Sequence, residues 1–90
     1  MADDTTGRVK VYTGDFCGYC RAAKRLLDAR SVPYEEINVS KIPGAREALM
    51  ERTGWRTIPV IEIDDELVGG YTELVGVDRA GGLKHLVVDG

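Results

Sequence analysis

Cys17 and Cys20 are the residues whose type and spacing most clearly indicate chemistry, and they are the only cysteines in the 90-residue chain. An apolar, β-type run over residues 8–13 precedes them, and a helical pattern over residues 21–27 follows them. Two thiols separated by two residues, where a strand passes into a helix, are typical of a redox-active site. A purely structural disulfide is the alternative, but so short a loop would stabilise a fold only weakly. We therefore expect reversible thiol–disulfide chemistry at these positions.

The start of a helix would favour this chemistry at Cys17. If the helix begins near Cys17, the two sulfurs lie on one face on neighbouring turns, close enough to form a bridge. Cys17 would then lie at the positive end of the helix, beside backbone N–H groups that stabilise a thiolate. Cysteines in such settings have a pKa of roughly 3.5–7.5, against about 8.5 for an ordinary thiol.

Composition and charge argue against several other classes of protein. A formal net charge of −3 is unlike that of a protein that binds nucleic acid through bulk charge. The sequence has no apolar run long enough to span a membrane and no hydrophobic signal core at its N-terminus, so we expect a cytoplasmic protein. Residues 1–7 are expected to form a flexible leader, and residues 8–90 a single domain. A single C-x-x-C supplies two ligands, so no structural zinc site is expected, and His85 is expected at the surface.

The pattern of apolar residues, prolines and glycines predicts the order β-α-β-α-β-β-α. The first β-α-β unit requires parallel strands, and the two later strands form a hairpin about Asp64-Asp65. We expect an α/β fold: a three-layer sandwich with a four-stranded mixed sheet flanked by helices. The expected elements are strands at 8–13, 34–39, 58–63 and 66–69, and helices at about 17–30, from Pro43 to a stop at Gly54, and at 72–79, with a short helical turn after them.

Two further segments could hold a ligand. Pro59 opens the third strand, where a missing N–H is tolerated; a trans peptide is the ordinary expectation there. Gly69-Gly70 permits a tight turn or the close approach of a ligand. The N–H groups of Tyr71 and Thr72 at the next helix start would suit a carboxylate. The ordinary structural alternative is Thr72 as an N-cap with Glu73 in the first turn, and the two interpretations are compatible.

Taken together, these segments resemble the glutaredoxin family, in particular its bacterial dithiol members. The resemblance rests on the C-x-Y-C motif, Thr57-Ile58-Pro59, Gly69-Gly70 and the closing residues 78–83, and it extends from about Val9 to Leu86. It implies a thioredoxin-like fold, a cis peptide bond before Pro59, and a glutathione-dependent oxidoreductase. The implied partners are glutathione, as co-substrate, and glutathionylated or disulfide-bonded proteins.

The resemblance also implies a role for individual residues. Cys17 would be the nucleophile and Cys20 the resolving thiol. Arg46 would reach the glycine carboxylate of glutathione, and the backbone of Ile58 would pair with its cysteinyl part. The implied glutathione-binding residues are Tyr19, Arg46, Thr57, Ile58, Pro59, Gly70, Tyr71 and Thr72.

Two positions depart from the family pattern. Gly14 replaces a basic residue, usually lysine, three positions before the first cysteine; Lys10, Arg21 or Arg56 could compensate for the lost cation. Gly18 replaces the common proline of C-P-Y-C, and within the family small residues here are associated with dimers that hold a [2Fe–2S] cluster. The alternative to an enzyme is therefore a homodimer bridged by such a cluster through Cys17 and glutathione, and the enzyme itself would be a monomer. A redoxin served by thioredoxin reductase is a third possibility, disfavoured by Arg46 and by residues 69–72.

Overall fold

A computed structural model describes residues 8–87 of the chain. The predicted leader, residues 1–7, lies outside the described residues, as do residues 88–90 of the predicted domain. None of the helices in the described part is long and apolar enough to cross a membrane. In chain order the elements are β1 (Val9–Thr13), α1 (Gly18–Ala29), β2 (Glu35–Asn38), α2 (Ala45–Thr53), β3 (Val60–Ile63), β4 (Glu66–Gly69) and α3 (Tyr71–Arg79), with 3-10 turns at Val39–Lys41 and Lys84–Leu86.

The four strands form one mixed sheet in the order β2-β1-β3-β4. β1 and β2 are parallel because α1 carries the chain back across the sheet between them. β3 runs antiparallel to both β1 and β4, with Val11 opposite Ile61. The hairpin turns at Asp64 and Asp65, both with positive φ, which suits the twist of two antiparallel strands. The predicted α/β fold with a four-stranded mixed sheet is confirmed.

Two apolar clusters, one on each face of the sheet, make the fold three-layered. On one face Val9, Val11 and Ile61 pack beneath α1 and α3, whose buried positions include Leu27 and Leu74. On the other face a smaller cluster lies beneath α2 and is formed by Val39, Leu49 and Val60. The alternation of side chains along β1 and β3 supplies both faces at once.

A bidentate ion pair ties the end of α1 to the end of α3. Arg30, the C-cap residue of α1, donates from Nε and Nη2 to the two carboxylate oxygens of Asp78 at 2.8 and 2.9 Å. The hydrogen bonds from Arg30 lower the pKa of Asp78 below its ordinary value. In the sequence Asp78 was notable only as part of the closing residues 78–83 that resemble the family. In the structure it holds the two helices together through Arg30.

Several predicted boundaries were wrong by a few residues. β3 begins at Val60 rather than at residue 58, and β2 ends at Asn38 because Val39 opens a 3-10 turn. Pro43 lies in the turn before α2 instead of in its first turn, since Gly44 is the N-cap. The stop at Gly54 is confirmed, and Leu49 is the buried residue by which α2 packs on the sheet.

Candidate active site

The two cysteines lie at the start of α1 and form a disulfide, with their Cα atoms 5.2 Å apart. Cys17 is the N-cap of the helix, and the backbone N–H of Cys20 donates to its sulfur at 3.1 Å. Cys17 is half-buried, whereas only 2% of the Cys20 surface is exposed. The reachable sulfur is therefore that of Cys17, and it occupies the place where a helix usually has a capping oxygen. The first turn of α1 carries no acidic side chain to oppose a thiolate there.

The loop before β3 lies directly beside Cys17. The Ile58 carbonyl oxygen is 3.7 Å from the Cys17 sulfur. The Ile58–Pro59 peptide bond is cis, as the resemblance implied. Pro59 is buried and Ile58 half-buried, so the loop presents mainly backbone to the sulfur.

A groove of about 410 Å³ extends from this loop to the start of α3. Most of the residues expected to bind glutathione line it, and Trp55 and Glu73 line it as well although the sequence did not single them out as ligand contacts. Arg46 is not among the lining residues; it lies on the exposed surface in the first turn of α2. The groove is lined by Tyr19, Trp55, Thr57, Ile58, Pro59, Gly70, Tyr71, Thr72 and Glu73.

Two tyrosines form the wall of the groove nearest the disulfide. The ring centroids of Tyr19 and Tyr71 are 6.0 Å apart, and their planes are tilted by 33°. Tyr19 remains 67% exposed. The pair offers an aromatic surface beside the sulfur while leaving one face of Tyr19 open to a partner.

The other end of the groove is the start of α3. The helix begins at Tyr71 with Gly70 as its N-cap, so the alternative in which Thr72 is the cap was wrong. The physical reason is Glu73, whose Oε1 accepts the Gly70 N–H at 3.0 Å and caps the helix from inside. The first helical bond runs from Leu74 N to Gly70 O, so the N–H groups of Tyr71 and Thr72 have no partner within the helix.

Trp55 packs against the chain at Gly69, just before α3. A Cβ on Gly69 would lie 3.0 Å from the Trp55 ring and 2.9 Å from Glu73 Cγ, and Gly69 also has a φ of 125°. A Cβ on Gly70 would lie 3.5 Å from Trp55 Nε1, which is an ordinary van der Waals contact. Gly69 thus lets the indole pack closely over the chain, whereas Trp55 places no such demand on position 70. The sequence did offer a signal, because the chain's one tryptophan lies two residues before Thr57.

Gly14 makes a close contact with the Ile58 loop. A Cβ built on Gly14 would overlap Ile58 Cδ1 and lie 3.0 Å from Ser40 Oγ. The δ-methyl of Ile58 therefore occupies the position that the Cβ of any longer side chain at position 14 would need. Gly18 is the opposite case, since a Cβ there would meet no atom within 4 Å.

A polar cluster on the α2 face was missed by sequence reasoning. The carboxylate of buried Glu62 accepts hydrogen bonds from Arg52 Nη1 at 2.7 Å and from Tyr12 Oη at 3.1 Å. Burial and the neighbouring Glu62 raise the pKa of Tyr12. These contacts hold β3 at Glu62, two residues beyond Val60. Glu62 alternates with apolar residues along the strand, and that pattern gave no sign that its carboxylate is buried.

Within residues 8–87 no group of three or more histidine, cysteine or acidic side chains is arranged to hold a metal ion. His85 is exposed, as expected.

Comparison with known proteins gives a consistent result. The family model described as glutaredoxin matches residues 9–68. Glutaredoxin 3 of Escherichia coli K12 is 37% identical over 79 residues, covering 88% of this chain and 95% of the relative. A glutaredoxin of Neisseria meningitidis is 42% identical over 80 residues, covering 88% and 94%. Among solved structures, a buckwheat glutaredoxin–glutathione complex superposes with a TM-score of 0.81 at 28% identity, covering 89% of this chain and 76% of the other.

Proposed function

The chain belongs to the glutaredoxin family and is a thiol–disulfide oxidoreductase; from this premise we propose that glutathione is its co-substrate. Its substrates would be glutathione mixed disulfides and protein disulfides, in the reducing cytoplasm, and the catalytic domain would extend over residues 8–90. The observation that carries the proposal is the position of the Cys17 sulfur, which caps α1 beside a groove that ends at helix N–H groups with no partner within their helix.

The groove suits a small peptide with a carboxylate at each end. The N–H groups of Tyr71 and Thr72 would hold the γ-glutamyl carboxylate at the positive end of α3. The backbone of Ile58, already 3.7 Å from the Cys17 sulfur, would pair with the cysteinyl part. Arg46 would bind the glycine carboxylate, because its exposed side chain can turn towards a bound peptide.

The remaining proposed contacts shape the groove. Pro59 follows the Ile58 carbonyl that faces the sulfur, and it forms part of the groove wall. Thr57 and Gly70 also line the groove, and Tyr19, which lines it from α1, would flank the bound peptide. Each contact would orient the glutathione sulfur towards Cys17 rather than take part in bond making.

The proposed reaction proceeds by two exchanges. The Cys17 thiolate attacks the glutathione sulfur of a mixed disulfide and forms a Cys17–glutathione disulfide. The other sulfur of the mixed disulfide leaves as a thiolate and takes a proton. A second glutathione thiolate then attacks the bound glutathione sulfur, which frees Cys17 and yields glutathione disulfide. With a protein disulfide, Cys17 attacks a protein sulfur instead. Cys20 then attacks Cys17 and releases the reduced protein, leaving the Cys17–Cys20 disulfide for glutathione to reduce.

Turnover of a glutathione mixed disulfide in the presence of glutathione tests this proposal. We expect Cys17→Ser to abolish turnover and Cys20→Ser to retain it, because only protein disulfides need the second thiol. Full activity of Cys17→Ser, or none in the unmodified protein, would contradict the proposal.

A second candidate function is a homodimer that shares a [2Fe–2S] cluster. The observation that favours it is the open surface around Gly18, which with Tyr19, Ala22 and Tyr71 borders a hollow of about 390 Å³. Cys17 would be the chain's ligand, after reduction of its disulfide, and glutathione would supply the remaining sulfur ligands; the cluster would supply one-electron redox chemistry or cargo iron and sulfur. Anaerobic treatment of the reduced protein with iron, sulfide and glutathione should then give visible absorption from the cluster together with a dimer in solution. A colourless monomer would contradict this candidate.

A further inference from the structure

Phe16, immediately before the nucleophile, is the most exposed large hydrophobic residue in the described part of the chain. Phe16 is 99% exposed and Tyr19 follows at 67%, whereas Ile42 is 50% exposed and Leu67 and Val87 are 42% exposed. The two most exposed apolar side chains therefore bracket Cys17 in sequence. Exposed apolar side chains that occur together, as these two do beside a reactive residue, are the kind of surface that marks a binding contact.

The loop that presents Phe16 is held by hydrogen bonds. The Asp15 N–H donates to Ser40 Oγ at 3.1 Å, and Asn38 Nδ2 donates to the Asp15 carboxylate at 3.1 Å. Phe16 itself has a φ of 56°, an uncommon backbone conformation for a bulky side chain. The bonds on the preceding residue fix the direction of the chain, so the ring is held in solvent next to Cys17 instead of turning into the core.

The proposed glutathione site makes no use of Phe16, because the groove is lined by other residues. A mainly apolar hollow adjoins this groove, because Tyr19 and Tyr71 line both. The one acidic neighbour in the loop, Asp15, is paired with Lys41, whose Nζ lies 3.6 Å from its carboxylate. Exposed Phe16 and Tyr19 therefore lie on either side of Cys17 in sequence, and the acidic residue of this loop is paired with a cation.

We propose that Phe16 is a specificity-determining contact for protein disulfides in which an apolar residue adjoins the attacked cysteine. The inference deepens the proposed function and rests on its assignment of Cys17 as nucleophile. Consecutive Cα atoms are about 3.8 Å apart, so when a partner cysteine bonds to Cys17, the residue beside it comes within reach of the Phe16 ring. An apolar side chain there gains contact with the ring, and a polar one gains nothing.

Two short peptides, each closed by a disulfide between two cysteines, test the proposal. They are identical except that leucine adjoins the cysteines in one and serine in the other. Reduced protein is mixed with each peptide without glutathione, and formation of peptide dithiol is followed in a single turnover. Cys17 attacks one peptide sulfur, the second peptide sulfur leaves as thiolate, and Cys20 displaces the first. Two electrons pass to the peptide, and the protein ends as its Cys17–Cys20 disulfide.

The unmodified protein should reduce the leucine peptide roughly tenfold faster than the serine peptide. Phe16→Ala should remove this preference and leave reduction of hydroxyethyl disulfide, a small substrate, unchanged, whereas Phe16→Leu should retain most of the preference. Leu67→Ala is the matched control, because it truncates an exposed apolar side chain on β4 and should change neither rate.

Equal rates for the two peptides in the unmodified protein would overturn the inference, and so would a leucine preference that survives in Phe16→Ala. If Phe16→Ala lost as much rate with hydroxyethyl disulfide as with the leucine peptide, Phe16 would be a positioning residue for Cys17, and the inference would again be overturned. Because no glutathione is present, failure of the glutathione proposal leaves the outcome interpretable. Cys17→Ser should abolish peptide reduction, and activity in that variant would refute the nucleophile assignment separately.

Discussion

Gly14→Ala should destabilise the protein because the new methyl group would occupy space that Ile58 already fills. The added Cβ would overlap Ile58 Cδ1 and lie 3.0 Å from Ser40 Oγ. Forcing an extra carbon into a packed site typically costs about 1–3 kcal/mol. Gly14 does not have a positive φ, so alanine should recover about 0.4–1 kcal/mol through the unfolded state. The net expectation is a loss of roughly 1–2 kcal/mol in the free energy of unfolding, or about 5–15 °C in Tm.

The same contact predicts a rescue. Ile58→Val removes the δ-methyl and alone should cost about 0.5–1.5 kcal/mol. In the double variant the methyl group added at position 14 would fill the space that the δ-methyl leaves. The double variant should therefore lose about 1 kcal/mol less free energy of unfolding than the two single variants lose together. Urea denaturation of the four proteins measures this coupling. Since the Ile58 carbonyl lies 3.7 Å from the Cys17 sulfur, kcat/KM should fall in Gly14→Ala and recover in the double variant.

Gly76→Ala is the control for this series. Gly76 lies inside α3, and a Cβ there would meet no atom within 4 Å, so alanine should stabilise the protein by about 0.5–1 kcal/mol. If Gly14→Ala proved as stable as Gly76→Ala, or if Ile58→Val brought no recovery, the packing argument would be refuted.

Three further predictions concern charged groups. Arg52→Ala should lower the free energy of unfolding by about 1–3 kcal/mol in urea denaturation, because the buried Glu62 carboxylate loses its partner at 2.7 Å; an unchanged midpoint would count against the contact. Glu73→Gln should keep an oxygen for the helix cap but remove a negative charge from the groove, so KM for glutathione should fall about two- to fivefold, and a raised KM would contradict this. Arg30 lowers the pKa of Asp78 in the folded protein, so the ionised carboxylate contributes to stability above the ordinary aspartate pKa of about 3.9, and this contribution is lost as the pH falls further. Asp78→Asn should therefore have a lower free energy of unfolding at pH 7, but should lose less of it than the unmodified protein on acidification below about pH 4. Parallel profiles of the free energy of unfolding against pH would refute this.

The framework of the fold and the position of the cysteines could be predicted from the sequence because both depend on local patterns. Val9 and Val11 alternate along a strand, Ala23 and Leu27 recur at helical spacing, and Asp64-Asp65 marks a hairpin. These signals depend on backbone geometry over a few residues, which neighbouring sequence largely determines.

The contacts that shape the site could not be predicted in this way, because they join residues distant in sequence. The contact between Gly14 and Ile58 joins two separate loops, and nothing in the sequence near Gly14 indicates which side chain lies above it. Glu73 was expected only as a first-turn acid, whereas its bond to the Gly70 N–H fixes where α3 begins. Arg46 was assigned by resemblance alone, and its role stays a prediction because it lies outside the groove.

The proposal that this oxidoreductase is specific for glutathione is tested most directly by comparing kcat/KM for one peptide blocked at its cysteine by two different thiols. In one substrate the mixed disulfide is with glutathione, and in the other it is with free cysteine, which lacks the γ-glutamyl and glycine parts. If the groove between Ile58 and Thr72 binds those parts, the glutathione substrate should be reduced roughly tenfold faster or more. Equal rates for the two substrates would contradict the account.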